Sequence, residues 1–189
     1  MLKDAARDHI EKAVADLRGE DDFRPFMMIL RPSGDVAYVG MDMPEERKKH
    51  ALTDAMTEIV AAYRATEVVF CTVLSTATGK TWGGDPQAWG IDPHMPPSEH
   101  PAARVVMMLH MTRDGGVEVV YTAPLVREDH KASLGQYASC TWPRCWPCRS
   151  MIGSPLVWFS AALRRGMRLG AKVTAAEEIQ TDLEQKGLL

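Results

Sequence analysis

The sequence predicts an α+β fold, in which a mainly antiparallel five-stranded sheet (α-β-β-α-β-β-β) has its helices packed on one face. Short apolar runs occur in pairs around turn-forming residues, which is typical of β-hairpins. Two other segments repeat apolar residues every three or four positions, as amphipathic helices do. The composition, 46% hydrophobic and 25% charged over 189 residues, is that of an ordinary globular protein.

The first three elements are a helix and a hairpin. An apolar stripe predicts a helix over residues 2–18, and Gly19 is a natural stop for it. Two apolar runs follow at 26–30 and 36–39, joined by the turn-forming segment Arg31-Pro32-Ser33-Gly34-Asp35. The stripe of the helix consists of Leu2, Ala6, Ile10, Val14 and Leu17.

The next elements complete the predicted sheet. A second apolar stripe indicates a helix over roughly 45–64, with Pro44 at its start. The strand at 68–74 is wholly apolar in its middle, which favours a central position in the sheet. A long loop rich in glycine and proline occupies 77–101, and a second hairpin pairs 104–111 with 117–126.

The charge distribution predicts a boundary near residue 129. Residues 130–176 contain seven basic residues and no acidic one, with three of the five tryptophans and three of the four cysteines. We therefore expect a sheet domain over 1–129, including the N-terminal helix, and a basic helical extension over 130–189. The net charge of −3 excludes a globally basic nucleic-acid binder.

The compartment predicted from the sequence is the cytoplasm. No stretch has the roughly 18 apolar residues of a membrane span. Charged residues follow Met1 almost at once, unlike a signal peptide. Thiols stay reduced in the cytoplasm, so the cysteines are expected to be ligands, redox thiols or core residues.

Cys140, Cys145 and Cys148 form the clearest chemical signal in the chain. Cys145 and Cys148 have the spacing by which one turn holds zinc, with Cys140 as a third ligand and His130 as the fourth. His100 and His94 are other possible fourth ligands. The spacing also fits an iron–sulfur cluster, although no fourth cysteine follows, and simple packing of reduced thiols is a further alternative.

Part of this segment resembles a known redox motif. Trp142-Pro143-Arg144-Cys145-Trp146-Pro147-Cys148 resembles the active-site turn of the thioredoxins. That resemblance implies a thiol–disulfide oxidoreductase with Cys145 as nucleophile and Cys148 as resolving thiol. It covers the turn alone, since 157–189 predicts only helix.

A second resemblance covers roughly residues 24–137. Pro97-Ser98, then Pro101 and Arg104, precede a predicted hairpin. This pattern and the element order resemble a recurrent set of uncharacterised bacterial and phage proteins. The resemblance implies a small phage-type or accessory protein and supplies no catalytic residue.

The C-terminal segment predicts a partner-binding surface. Ser154-Pro155 begins a helix whose apolar start leads into a basic end. We expect a protein partner; aromatic stacking on nucleic acid or contact with an anionic membrane surface are the alternatives. The helix can also simply pack on the open face of the sheet with its arginines in solvent. The predicted contact residues are Trp142, Trp146, Trp158, Arg164, Arg165 and Arg168.

The predicted function is therefore that of a non-catalytic assembly, adaptor or accessory protein. The alternatives are a thiol–disulfide oxidoreductase and a zinc-stabilised binding module, both using Cys140, Cys145 and Cys148. Gly79-Lys80-Thr81 does not form a phosphate loop, because Leu74 stands where the first glycine is required.

Overall fold

The computed structural model describes residues 2–17, 23–41, 49–75, 104–113, 118–128, 131–142 and 155–188. Within these ranges the chain forms four helices and seven strands. The helices are α1 (Leu2–Ala15), α2 (Lys49–Ala62), α3 (Pro155–Gly170) and α4 (Val173–Gln185). The strands are β1 (Phe26–Leu30), β2 (Val36–Gly40), β3 (Glu67–Ser75), β4 (Arg104–Thr112), β5 (Glu118–Glu128), β6 (Lys131–Leu134) and β7 (Ala138–Trp142).

The five predicted strands form an antiparallel sheet in the order β2-β1-β3-β4-β5, which confirms the α+β fold class. The β1–β2 turn contains Gly34 at φ 92°, a left-handed conformation that glycine adopts without strain. β3 lies between β1 and β4, as its apolar sequence predicted. The loop predicted at 77–101 lies outside the described residues.

Two further strands pair with the outer edge of β5. β7 pairs with its first half, and β6 with its second half. Both lie in the segment that was expected to be helical, so that expectation is wrong for 131–134 and 138–142. The physical reason is that the long edge of β5 offers backbone groups that need partners, while Ala132 and Leu134 of β6 pack under α1.

One face of the sheet is covered by α2 and α3. Their apolar side chains pack on inward-facing residues of β1, β3 and β4, and the rings of Phe70 and Phe159 lie 4.7 Å apart. The fully buried members of this core include Met27, Ile29, Met56, Val60, Phe70, Leu109 and Leu163.

The opposite face is covered by α1, so the expectation of helices on one face is wrong. Ile10 and Val14 of α1 pack on Val69 and Cys71 of β3, the residues that alternate with those facing α2 and α3. A strand that is apolar at successive positions presents apolar side chains to both faces, and each face then needs a cover.

The expected boundary near residue 129 does not separate two packing units among the described residues. Phe159, Leu163 and Met167 of α3 belong to the same core as the first three strands. The apolar side of α3, which belongs to the basic segment, is therefore part of the same core as the sheet.

Candidate functional site

α3 carries four of the six predicted contact residues, and its inner side fixes it on α2. Ala162, Gly166 and Gly170 recur every four residues along that side. A Cβ added at Gly166 would lie 2.6 Å from the Thr57 carbonyl oxygen, so the two backbones touch. The Thr57 hydroxyl donates to the carbonyls of Thr53 and of Ala162, the latter at 3.2 Å. These contacts hold α3 in one orientation.

The outer side of α3 presents Trp158 and three arginines. Trp158 is 42% exposed, which is unusual for so large an aromatic ring. Arg164, Arg165 and Arg168 are exposed on the following turns. Arg165 follows Trp158 by about two turns and Arg168 follows Arg165 by about one turn, so the three side chains lie on the same side of the helix. Four predicted contact residues thus form one surface, which we call the α3 outer face (Trp158, Arg164, Arg165 and Arg168).

All the charged residues of the α3 outer face are positive. α3 contains no acidic residue, and Arg168 in its last turn complements the helix dipole. Within the described part of the chain, Arg165 and Arg168 form no ion pair. α4, which follows directly, exposes acidic side chains instead. The helix that follows α3 in the sequence is thus acidic where α3 is basic, and its exposed carboxylates are Glu177, Glu178, Asp182 and Glu184.

The structure places the predicted cysteine site only in part. Cys140 and Trp142 lie on β7, where their backbones pair with Val120 and Glu118 of β5. His130, Cys145, Trp146 and Cys148 lie outside the described residues. Among the residues that are described, no three His, Cys, Asp or Glu side chains are arranged to hold a metal ion.

Cys71, the remaining cysteine, is a core residue. It is fully buried on β3 beneath α1, and burial raises the pKa of its thiol well above the ordinary value. A thiol that stays protonated is a poor nucleophile and a poor metal ligand.

One polar pair was missed by sequence reasoning. His110 Nε2 of β4 lies 2.9 Å from Glu67 Oε1 of β3, and both side chains are mostly buried. The register of β3 on β4 brings them together, and no spacing in the sequence signals it.

Comparison with known proteins gives no family, relative or structure to support a function. No protein-family model, no curated protein and no solved structure matches the chain. None of the described helices has the length and apolar character needed to cross a membrane.

Proposed function

We propose that this protein is a non-catalytic adaptor or accessory protein that binds an acidic partner protein through the α3 outer face. The observation that carries the proposal is the exposed Trp158 beside Arg165 and Arg168 on a helix whose other side is locked into the core. Tryptophan and arginine are the residues most enriched at the energetic centres of protein interfaces.

The rigidity of α3 supports this proposal. A contact surface on a packed helix loses little conformational entropy on binding, because its backbone is already ordered. Gly166 and Thr57 hold α3 against α2. The tryptophan and arginine side chains thus project from a fixed backbone.

The charge pattern favours a protein over nucleic acid or a lipid surface. A nucleic-acid backbone or an anionic membrane presents negative charge over a wide area. α4, which follows α3 after two residues, exposes carboxylates that would repel a surface wide enough to cover both helices. A protein can instead place a few acidic groups opposite the arginines and an apolar pocket opposite Trp158.

The experiment is site-specific photo-cross-linking in the cells that make the protein. A photoreactive amino acid at the exposed Ala161 lies between Trp158 and Arg165. We expect one dominant adduct with an acidic protein, which is lost in the double variant Arg165→Glu/Arg168→Glu. The matched control is Lys12→Glu/Arg24→Glu, which makes the same change of charge at exposed positions away from α3.

The affinity for the captured partner provides the second measurement. Trp158→Ala should weaken binding by about 30-fold, as truncation of a central interface residue does. The proposal fails if the control variant loses the adduct equally, or if the adduct is a nucleic acid. It also fails if wild type binds nucleic acid or anionic vesicles at physiological salt and Arg164→Glu/Arg165→Glu/Arg168→Glu abolishes that binding.

A further inference from the structure

A cleft of about 380 Å³ lies between α1 and the β6–β7 connection, on the sheet face opposite α3. α1 supplies one wall, and the segment from β6 to Tyr137 supplies the other. The volume is at the small end of the range for ligand-binding pockets. Its polar lining includes Arg7, Glu11, Gln136 and Tyr137, and its apolar lining includes Val14 and Leu134.

The Tyr137 hydroxyl is the first feature that points to a ligand. It is buried, and among the described residues it has no hydrogen-bond partner. Burial, with the nearby Glu11 carboxylate, raises the pKa of Tyr137 to about 12, so the hydroxyl keeps its proton and can donate. A buried donor without an acceptor costs stability, and natural proteins rarely leave one in place.

The charges at the cleft are the second feature. Arg7 Nε lies 3.1 Å from Glu11 Oε1, and the Arg7 guanidinium stacks on the Tyr137 ring at 4.7 Å from its centroid. Arg7 and the Tyr137 hydroxyl can bind a carboxylate, while Glu11 can accept from an ammonium group. The charges of Arg7 and Glu11 cancel, so the cleft has no net positive charge to attract a dianion such as phosphate. The Glu11 carboxylate would also repel a dianion.

We propose that this cleft binds a small zwitterion of amino-acid size with an aliphatic side chain. The ligand carboxylate would accept from the Tyr137 hydroxyl and Arg7, and its ammonium group would donate to Glu11. The aliphatic side chain would contact Val14 and Leu134. The site is separate from the α3 outer face, so it does not depend on the proposed partner.

Three probes of nearly equal shape test the proposal by calorimetry on the full chain. L-Leucine has both charges, 4-methylpentanoate lacks the ammonium group, and 3-methylbutylamine lacks the carboxylate. We expect leucine to bind at millimolar concentration or below, and each analogue to bind about tenfold more weakly, because each loses a hydrogen bond to a charged group. Absence of leucine binding, or equal binding of either analogue, would overturn the proposal.

Tyr137→Phe tests the role of the hydroxyl, with Tyr121→Phe as the matched control. Tyr121 also packs under α1 but does not line the cleft. Tyr137→Phe should weaken leucine binding by about tenfold and raise the melting temperature of the ligand-free protein, because it removes an unpaired buried donor. Tyr121→Phe should leave leucine binding unchanged. If Tyr137→Phe binds leucine as wild type does, the assigned site is wrong.

Discussion

At the scale of single residues, Gly166 is the position where the α2–α3 contact is least tolerant of added volume. Its absent Cβ leaves room for the Thr57 carbonyl oxygen and the Val60 side chain, which a methyl group would approach to 2.6 and 2.8 Å. A backbone carbonyl inside a packed helix cannot move away without disturbing the neighbouring core. The presence of glycine in the middle of α3 is therefore explained by packing.

Gly166→Ala should lower the free energy of unfolding by about 1–3 kcal/mol, in spite of the better helix propensity of alanine. Urea denaturation measures this change. Gly40→Ala is the control, because among the described residues its Cβ would meet only Tyr38 Cε1 at 3.9 Å, and it should change stability by less than about 0.5 kcal/mol. Equal effects of the two substitutions would contradict the close helix contact.

The raised pKa of Tyr137 predicts a loss of stability at alkaline pH. Its folded-state pKa is about 12 against an ordinary value of 10.0, so between these values the folded protein keeps a proton that the unfolded chain releases. This contribution is fully present below pH 10 and is lost as pH rises towards 12. Urea denaturation across this interval should show stability falling less steeply for Tyr137→Phe than for wild type. Parallel curves would show that Tyr137 does not titrate as described.

At the scale of elements, α1 and α3 play equivalent parts on opposite faces of one sheet. Each buries an apolar stripe against alternate residues of β3. Their outer sides differ, since α3 presents tryptophan and arginine to solvent and α1 forms a wall of the polar cleft. The two proposed binding sites thus lie on opposite sides of the molecule.

The spacing of the cysteines from β7 onwards predicts a zinc site, and this prediction depends on the sequence alone. If zinc is bound, there should be about one ion per chain, with Cys140, Cys145 and Cys148 among its ligands. Cys148→Ser should then lower both the zinc content and the melting temperature, because a structural metal stabilises the folded chain.

Cys71→Ser is the control for the zinc prediction and should leave the metal content unchanged, since Cys71 is buried beneath α1. Metal analysis of untagged protein purified without chelator provides the measurement. Protein free of zinc would exclude this hypothesis and leave two alternatives, the thiol–disulfide oxidoreductase and simple packing of reduced thiols. Titration of the Cys145 thiol would test that alternative, because a nucleophilic cysteine needs a lowered pKa.

At the scale of the whole molecule, the packing of α3 predicts that the chain cannot be divided near residue 129. A chain ending at Tyr137 loses Phe159, Leu163 and Met167 from the main core. We expect it to unfold without a cooperative transition or to aggregate, because the part of the core that α3 covers becomes exposed. Thermal unfolding followed by near-UV circular dichroism measures this.

A chain ending at Gln185 is the control for the truncation. The described residues that it lacks, Lys186, Gly187 and Leu188, are exposed, so it should unfold cooperatively near the wild-type melting temperature. A cooperative transition in the chain ending at Tyr137 would show that the sheet has a core of its own and would restore the division expected from the charge distribution.

The sequence by itself determined the antiparallel α+β class, the two hairpins and the central position of β3. These features depend on short-range patterns: turn residues between apolar runs, and the periods of apolar residues in helices and strands. It also identified the α3 outer face, since Trp158 and the arginines lie on one side of a helix that is apolar on the other. These patterns are local, because each involves residues that are close together in the sequence.

Only the tertiary structure decided which surfaces are covered and which distant side chains meet. The sequence predicted helices on one face of the sheet, whereas α1 covers one face and α3 the other, because contacts between residues far apart in sequence decide this placement. The strands β6 and β7 form because β5 has a free edge, a condition that their own sequences do not express. The Glu67–His110 pair and the cleft at Tyr137 likewise arise from strand register and helix placement, which packing of the whole chain determines.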